Sequence, residues 1–288
     1  NYTLALVGSS VNITTRPLTA SVTAESKPYD GTTAVTITSG INLNNLIAGD
    51  MVNAACVSSA FADKNVGNNK TVTLSGVSLS GTEAANYSLA VDSITSSASI
   101  TPVTLNINGS RVYDGTSSAS ASLFLTSGAL ATGVNGETLG LEGAGELASK
   151  NASSSAVALS NTSGLTLKNG TGEAKNYILG GGSVAISKAP LTITAAAGSK
   201  TYDGNTAELI LPTVSVGTIY DAHTLSESYN DPNAGSGKTM TPQIVFANPA
   251  DAGNYNLTLV NNSAGSITPA TLYYTATPVS SVQGSAVP

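Results

Sequence analysis

KPYDGTTA at residues 27–34, RVYDGTSSA at 111–119 and KTYDGNTA at 200–207 share one signature: a basic residue, one spacer, then Tyr-Asp-Gly. Asp-Gly between extended segments is a strong hairpin signal. A type I′ turn needs positive φ at both central positions, which Asp tolerates and Gly adopts freely. The triplets Tyr29-Asp30-Gly31, Tyr113-Asp114-Gly115 and Tyr202-Asp203-Gly204 are therefore expected to turn the chain between the first two strands of three successive units. Each tyrosine would pack beside its turn. A catalytic carboxylate needs a polar partner that recurs with it, and none recurs next to these aspartates.

Three other landmarks keep the same order. ITTRPL (13–18), ITPVTL (100–105), ISKAPL (186–191) and ITPATL (267–272) each run from Ile to Leu and hold one proline: Pro17, Pro102, Pro190 and Pro269. Proline fixes its own φ and biases its predecessor to extended geometry, so these are short, stiff junctions. EAANYSL (83–89), EAKNYIL (173–179) and DAGNYNL (251–257) define acid-Ala-x-Asn-Tyr-x-Leu, with Glu83, Asn86 and Tyr87, then Glu173, Asn176 and Tyr177, then Asp251, Asn254 and Tyr255. The pattern suits a tyrosine corner, in which the hydroxyl bonds to upstream backbone. Each acid could accept N–H bonds of its turn. FADKNVGNNKTV (61–72), LASKNASSSAVAL (147–159) and YNDPNAGSGKTM (229–240) read as turns between strands.

Between landmarks the apolar positions alternate with polar or small ones, and Val, Ile and Thr abound. No window sustains a helical stripe. The expected fold is all-β: tandem immunoglobulin-like β-sandwich repeats joined end to end by short Pro-containing linkers into a semi-rigid rod. Residues 1–16 are expected to hold the last strand of a preceding repeat, with Asn1 to Leu4 echoing the Asn-Tyr motif. Repeats then span 17–101, 102–189 and 190–268, and 269–288 starts a further one. With no initiator Met or signal peptide, the chain is expected to be an internal piece of something longer.

Composition narrows the function. Only 10% of residues are charged and the formal net charge is −6. Eleven scattered Lys and Arg cannot neutralise a phosphate backbone, which sets nucleic acid aside. No apolar run reaches the roughly 18 residues of a spanning helix, so no membrane insertion is expected. Cys56 is the single cysteine and reads as a residue on an apolar strand face. His223 is the single histidine and stands where GDMV (49–52) and GETL (136–139) have an acid. A surface turn position accounts for it. One His cannot supply a recurring triad, and one His with one Cys cannot complete a zinc site. Asp and Glu are spread singly, with no calcium loop, and Gly180-Gly181-Gly182 is not a phosphate loop. No catalytic residue, metal or cofactor is expected. A Lys–Asn cross-link from Lys64 or Lys70 is conceivable.

These units resemble the YDG and MBG repeats of large bacterial exported proteins, filamentous-haemagglutinin-like adhesins of two-partner secretion and biofilm-matrix adhesins among them. The likeness rests on K-x-Y-D-G-T, D-K-N-V-G-x-x-K-T-V, A-x-N-Y-x-L and I-T-P. It covers essentially the whole chain, although residues 149–155 of the second unit lack the turn glycine. The resemblance implies an extracellular, outer-membrane-associated stalk without enzymatic activity, supporting adhesion or a biofilm matrix. Its partners would be neighbouring repeats of the same chain. Exopolysaccharide or a host surface would be met through other regions, and exposed edge strands allow lateral self-association. The alternative is a carbohydrate- or receptor-binding module using Tyr220, Tyr229, Tyr273 and Tyr274.

Overall fold

The computed structural model describes residues 1–3, 8, 10–280 and 282–284. Leu4 and the last residues of the expected further repeat lie outside them. The chain divides into two compact units: residues 1–109, 119–146 and 159–183 form one, and residues 110–118, 147–158 and 184–288 the other.

In the first unit, strand Arg16–Ser21 runs parallel to Tyr87–Leu89 and antiparallel to Asn42–Asn44. A second sheet orders Lys27–Pro28, Ser93–Thr101, Gly67–Ser75 and Ser58–Phe61. Side chains of a strand alternate between faces. Accordingly, Val72 and Leu74 of one central strand, and Ile94, Ala98 and Ile100 of the other, are buried. Leu18, Val52 and Tyr87 make a core cluster, with Leu43, Leu46, Leu79 and Leu89 packed on it. Several strands here are two or three residues long, shorter than the alternation suggests. Pro28 has no N–H for a ladder, and Asn45 at φ 71 turns the chain away after Asn44. The same unit holds the start of strand Thr138–Leu147, flanked by Leu130–Ala131 and Leu165–Asn169.

The second unit repeats the arrangement. Ala189–Thr194 runs parallel to Tyr255–Val260 over six residue pairs and antiparallel to Thr213–Val216. The facing sheet orders Ser199–Thr201, Asn262–Thr268, Gly235–Phe246 and His223–Tyr229. Ala195, Tyr229, Met240 and Ile267 form its core cluster. The fold is all-β, built of sandwich repeats, as the alternation predicts.

Proline sits at each junction. Pro102 is the single residue between strands Ser93–Thr101 and Val103–Val112. Pro17 and Pro190 lie inside the first strands, opposite Ser88 and Asn256 of the parallel partners, and Pro269 directly follows Asn262–Thr268. Helical structure among the described residues is limited to short 3₁₀ turns. Three of them, Ala84–Asn86, Ala174–Asn176 and Pro249–Asn254, are the acid-Ala-x-Asn stretches, and in each the following tyrosine opens a strand. Gly180, Gly181 and Gly182 lie inside strand Tyr177–Ser187. Cys56 is half-buried between strands Asn53–Ala55 and Ser58–Phe61, not on a strand face.

Candidate functional site

The Tyr-Asp-Gly turn is not a type I′ hairpin. Gly31, Gly115 and Gly204 have φ of 76°, 78° and 81°, but the aspartates before them are not left-handed. Each Asp instead acts through its side chain. Asp30, Asp114 and Asp203 accept from the backbone N–H of Thr32, Thr116 and Asn205 at 2.9, 3.0 and 3.1 Å. This is an Asx turn. The basic residue three positions earlier closes it. Lys27, Arg111 and Lys200 pair with the same carboxylates at 2.8, 3.0 and 2.8 Å. They also donate to loop carbonyls, such as Thr32 O at 3.0 Å and Ser118 O at 2.6 Å. The spacing of basic residue and aspartate is therefore that of one clamped loop.

The clamped loop aims its tyrosine away from its own turn. Tyr29 is buried, and its hydroxyl donates to Glu137 at 2.8 and 3.0 Å. Tyr177 donates to the same carboxylate at 2.7 Å, and Lys64 pairs with it at 2.6 Å. The Tyr29 and Tyr177 rings meet edge-to-face, with centroids 5.5 Å apart. Beside this cluster, the Asn176 side chain accepts from Val66 N–H at 2.9 Å and donates to Asn65 at 3.0 Å. The Asn135 side chain donates to Asp30 O at 3.0 Å. All of these lie within the first unit, yet they join the first sequence repeat to the second.

The second unit builds the same assembly from the second and third repeats. Tyr113 donates to both oxygens of Asp221 at 2.9 Å, Tyr255 donates at 2.9 Å, and Lys150 pairs at 2.6 Å. Tyr113 and Tyr255 are again edge-to-face, 5.5 Å apart. Asn254 accepts from Ala152 N–H at 2.9 Å and donates to Asn151 at 3.3 Å. The acid of this joint is thus Asp221, two residues before the expected position. His223 instead opens a strand, its ring Nδ1 2.8 Å from the Asp221 carbonyl oxygen.

The buried carboxylates remain charged. Burial alone would raise the Glu137 carboxyl, but hydrogen bonds from Lys64, Tyr177 and Tyr29 hold it below the usual carboxylate range. Asp221 is lowered in the same way by Lys150, Tyr113 and Tyr255 against its own burial. The tyrosines move oppositely. Burial, and then the neighbouring carboxylate, push Tyr29 and Tyr113 above 10.0, while Tyr177 and Tyr255 are pushed up to about 12. A neutral hydroxyl donating to a fixed anion is the favoured state throughout. This arrangement holds the two repeats against each other.

The other predicted residues fall as follows. Tyr202 is 45% exposed, with no side-chain hydrogen bond among the described residues. Tyr87 donates to Asp50 and accepts from Ile47 N–H at 3.2 Å, and Tyr255 accepts from Tyr220 N–H at 2.9 Å. The Tyr87 and Tyr255 hydroxyls therefore reach upstream backbone, as a tyrosine corner does, whereas the Tyr177 hydroxyl meets the Thr132 hydroxyl and Glu137, and in all three the main acceptor is a carboxylate. The motif acids do not cap their own turns. Glu83 accepts from Met51 N–H at 2.9 Å, Glu173 pairs with Lys175, and Asp251 accepts from Asn248 at 3.2 Å. Asn86 is exposed. Lys64 and Lys70 face Glu137 and Asp63, not an asparagine. Tyr229 is buried on Glu208 and offers no ring to a sugar, whereas Tyr273 and Tyr274 are exposed.

Sequence reasoning missed Glu137, Asp221, Lys64, Lys150, Asn65 and Asn151 as parts of a joint. Part of their signal was present: a Lys-Asn pair recurs at 64–65 and 150–151, and Glu137 and Asp221 each stand 108 residues after a Tyr-Asp-Gly tyrosine. The YDG domain family matches residues 14–97, 95–185 and 187–264, placing Tyr29 and Glu137 in successive domains. No curated protein matches the chain.

Proposed function

The chain belongs to the YDG domain family, and from that premise we propose that it is a structural spacer segment of an extracellular bacterial adhesin. In this reading it is secreted, held at the outer membrane, and carries a distal binding region away from the cell in support of adhesion or a biofilm matrix. The supporting observation is the joint itself. Two successive repeat boundaries are closed by the same buried Tyr–carboxylate–Tyr–Lys cluster and the same asparagine pair. Such couplings suit a serial spacer, because contacts across a boundary add to the stiffness of its short Pro-containing linker. Its partners are neighbouring repeats of its own chain, and it works without a cofactor or catalysis.

The test places the chain between a surface anchor and a binding tip on a bacterium and measures capture of ligand-coated beads. Capture is expected to fall when the three repeats are deleted. It is expected to fall also when a Gly/Ser linker of equal residue number replaces them. Unchanged capture in both cases would sink the spacer reading. A second reading, a carbohydrate-binding module, rests on the full exposure of Tyr273 and Tyr274, since sugars stack on aromatic faces. Glycan-array binding abolished by Tyr273→Ala with Tyr274→Ala would favour it.

A further inference from the structure

Asn-Gly occurs three times, at Asn108-Gly109, Asn135-Gly136 and Asn169-Gly170. Glycine carries no Cβ, so it least obstructs closure of its own backbone nitrogen on the Cγ of a preceding asparagine. That closure requires the peptide between the two residues to swing, and the fold sets a different cost on each swing. Gly109 lies inside strand Val103–Val112, so its peptide belongs to a ladder. Gly170 donates its N–H to Gly172 O at 3.0 Å, and the Asn169 side chain accepts from Ala174 N–H at 2.8 Å. Asn135 and Gly136 are exposed, with φ of 45° and 71°, and the Glu137 N–H closes on Val134 O at 2.8 Å. This is a type I′ turn. Neither the Asn135 carbonyl nor the Gly136 N–H has a hydrogen-bond partner among the described residues. Flipping their peptide therefore breaks no hydrogen bond and keeps the Val134–Glu137 closure. It yields the type II′ form, with ψ of Asn135 at about −120°, which turns the Gly136 nitrogen toward the Asn135 Cγ.

We propose that Asn135 is a deamidation site whose conversion loosens the joint between the first two repeats. The Gly136 nitrogen attacks the Asn135 Cγ, the new N–Cγ bond closes a succinimide, and the Cγ–Nδ2 bond breaks. Ammonia leaves with the Gly136 proton. Water then opens the ring at Cγ to give aspartate, or at the backbone carbonyl to give isoaspartate. Either product changes the joint. The Asn135 amide donates to Asp30 O at 3.0 Å, and its Nδ2 lies only 2.5 Å from the position a Cβ would take at Gly31. A carboxylate there donates nothing. It also sets a negative charge against a carbonyl oxygen, in a joint that already holds the Glu137 carboxylate. Isoaspartate further lengthens the turn that positions Glu137. The second joint has no such site, because Ile219 and Tyr220 precede Asp221 where Asn135 and Gly136 precede Glu137. The inference goes beyond the spacer reading and does not rest on it.

Ageing the full chain at mildly alkaline pH tests the proposal, with peptide mass spectrometry and amide hydrogen exchange as readouts. Peptides holding Asn135 should show an amide NH₂ replaced by OH before those holding Asn108 or Asn169. Exchange at Val66, inside the first joint, should become about tenfold faster in the aged chain and in fresh Asn135→Asp. Ala152, inside the second joint, should keep its rate, which also shows both samples to be folded. Asn135→Gln must close a larger and slower ring, so its Val66 rate should not change with ageing. Earlier conversion at Asn108 or Asn169 would overturn the proposal. So would unchanged Val66 exchange in Asn135→Asp, equal acceleration at Ala152, or acceleration of Val66 in aged Asn135→Gln.

Discussion

Tyr29 donates its hydroxyl to Glu137 across 108 positions of sequence, and Tyr113 donates to Asp221 across the same 108. The equal separation identifies one joint made twice. Each tyrosine leaves a loop clamped in its own repeat and ends on a carboxylate of the next.

Tyr29→Phe and Tyr113→Phe remove a hydrogen bond to a buried charged acceptor. Each should cost about 2 kcal/mol in urea unfolding. Tyr202→Phe removes a hydroxyl that has no partner among the described residues, and should change stability by less than about 0.5 kcal/mol. Equal losses at all three positions would show that the tyrosines serve their turns and not the joints.

The glycines should separate likewise. Gly204→Ala adds only the strain of a left-handed alanine, about 1 kcal/mol. Gly115→Ala adds that strain and also sets a methyl 2.7 Å from Tyr220 Cβ, an atom that cannot swing aside. Its thermal midpoint should therefore fall well below that of Gly204→Ala.

Asn176 satisfies the Val66 N–H inside a joint, while Asn86, at the same motif position, is exposed. Asn176→Ala leaves that donor unpaired and should cost about 1–3 kcal/mol. Asn86→Ala should be neutral within about 0.5 kcal/mol. Amide hydrogen exchange at Val66 should accelerate in the first variant only.

Acid should loosen the joints. Glu137 and Asp221 have folded pKa values below their unfolded ones, so their contribution is complete above about pH 4–5 and is lost as pH falls through the lower folded values. Glu227 behaves oppositely. Its burial, and the Glu208 charge, raise its folded pKa, although the Ala196 N–H opposes the shift, and its Oε1 is buried without a partner among the described residues. Deprotonation therefore costs stability as pH rises. Glu227→Gln should stabilise the protein by about 1 kcal/mol at pH 7 and confer no advantage once the wild-type carboxyl is protonated. Denaturant titrations at pH 7, pH 4 and pH 2 check both signs.

The backbone could be read from residues close together in the chain, because its determinants are local. Glycine at φ near 76° in Gly31, proline at each junction, the period of two that buries Val72 with Leu74, and the register of the repeats all follow from short-range sterics and burial. The purpose of the tyrosines could not be read that way. Asp-Gly looks like a hairpin until Lys27 is seen closing the loop. Glu137 looks like a surface turn acid until two tyrosines and Lys64 converge on its carboxylate in a buried site. An ion pair's worth depends on the solvent it loses and the donors it gains, and at Glu137 these donors come from residues 40, 73 and 108 positions away. The tertiary structure therefore decided that the repeated motif couples neighbouring repeats.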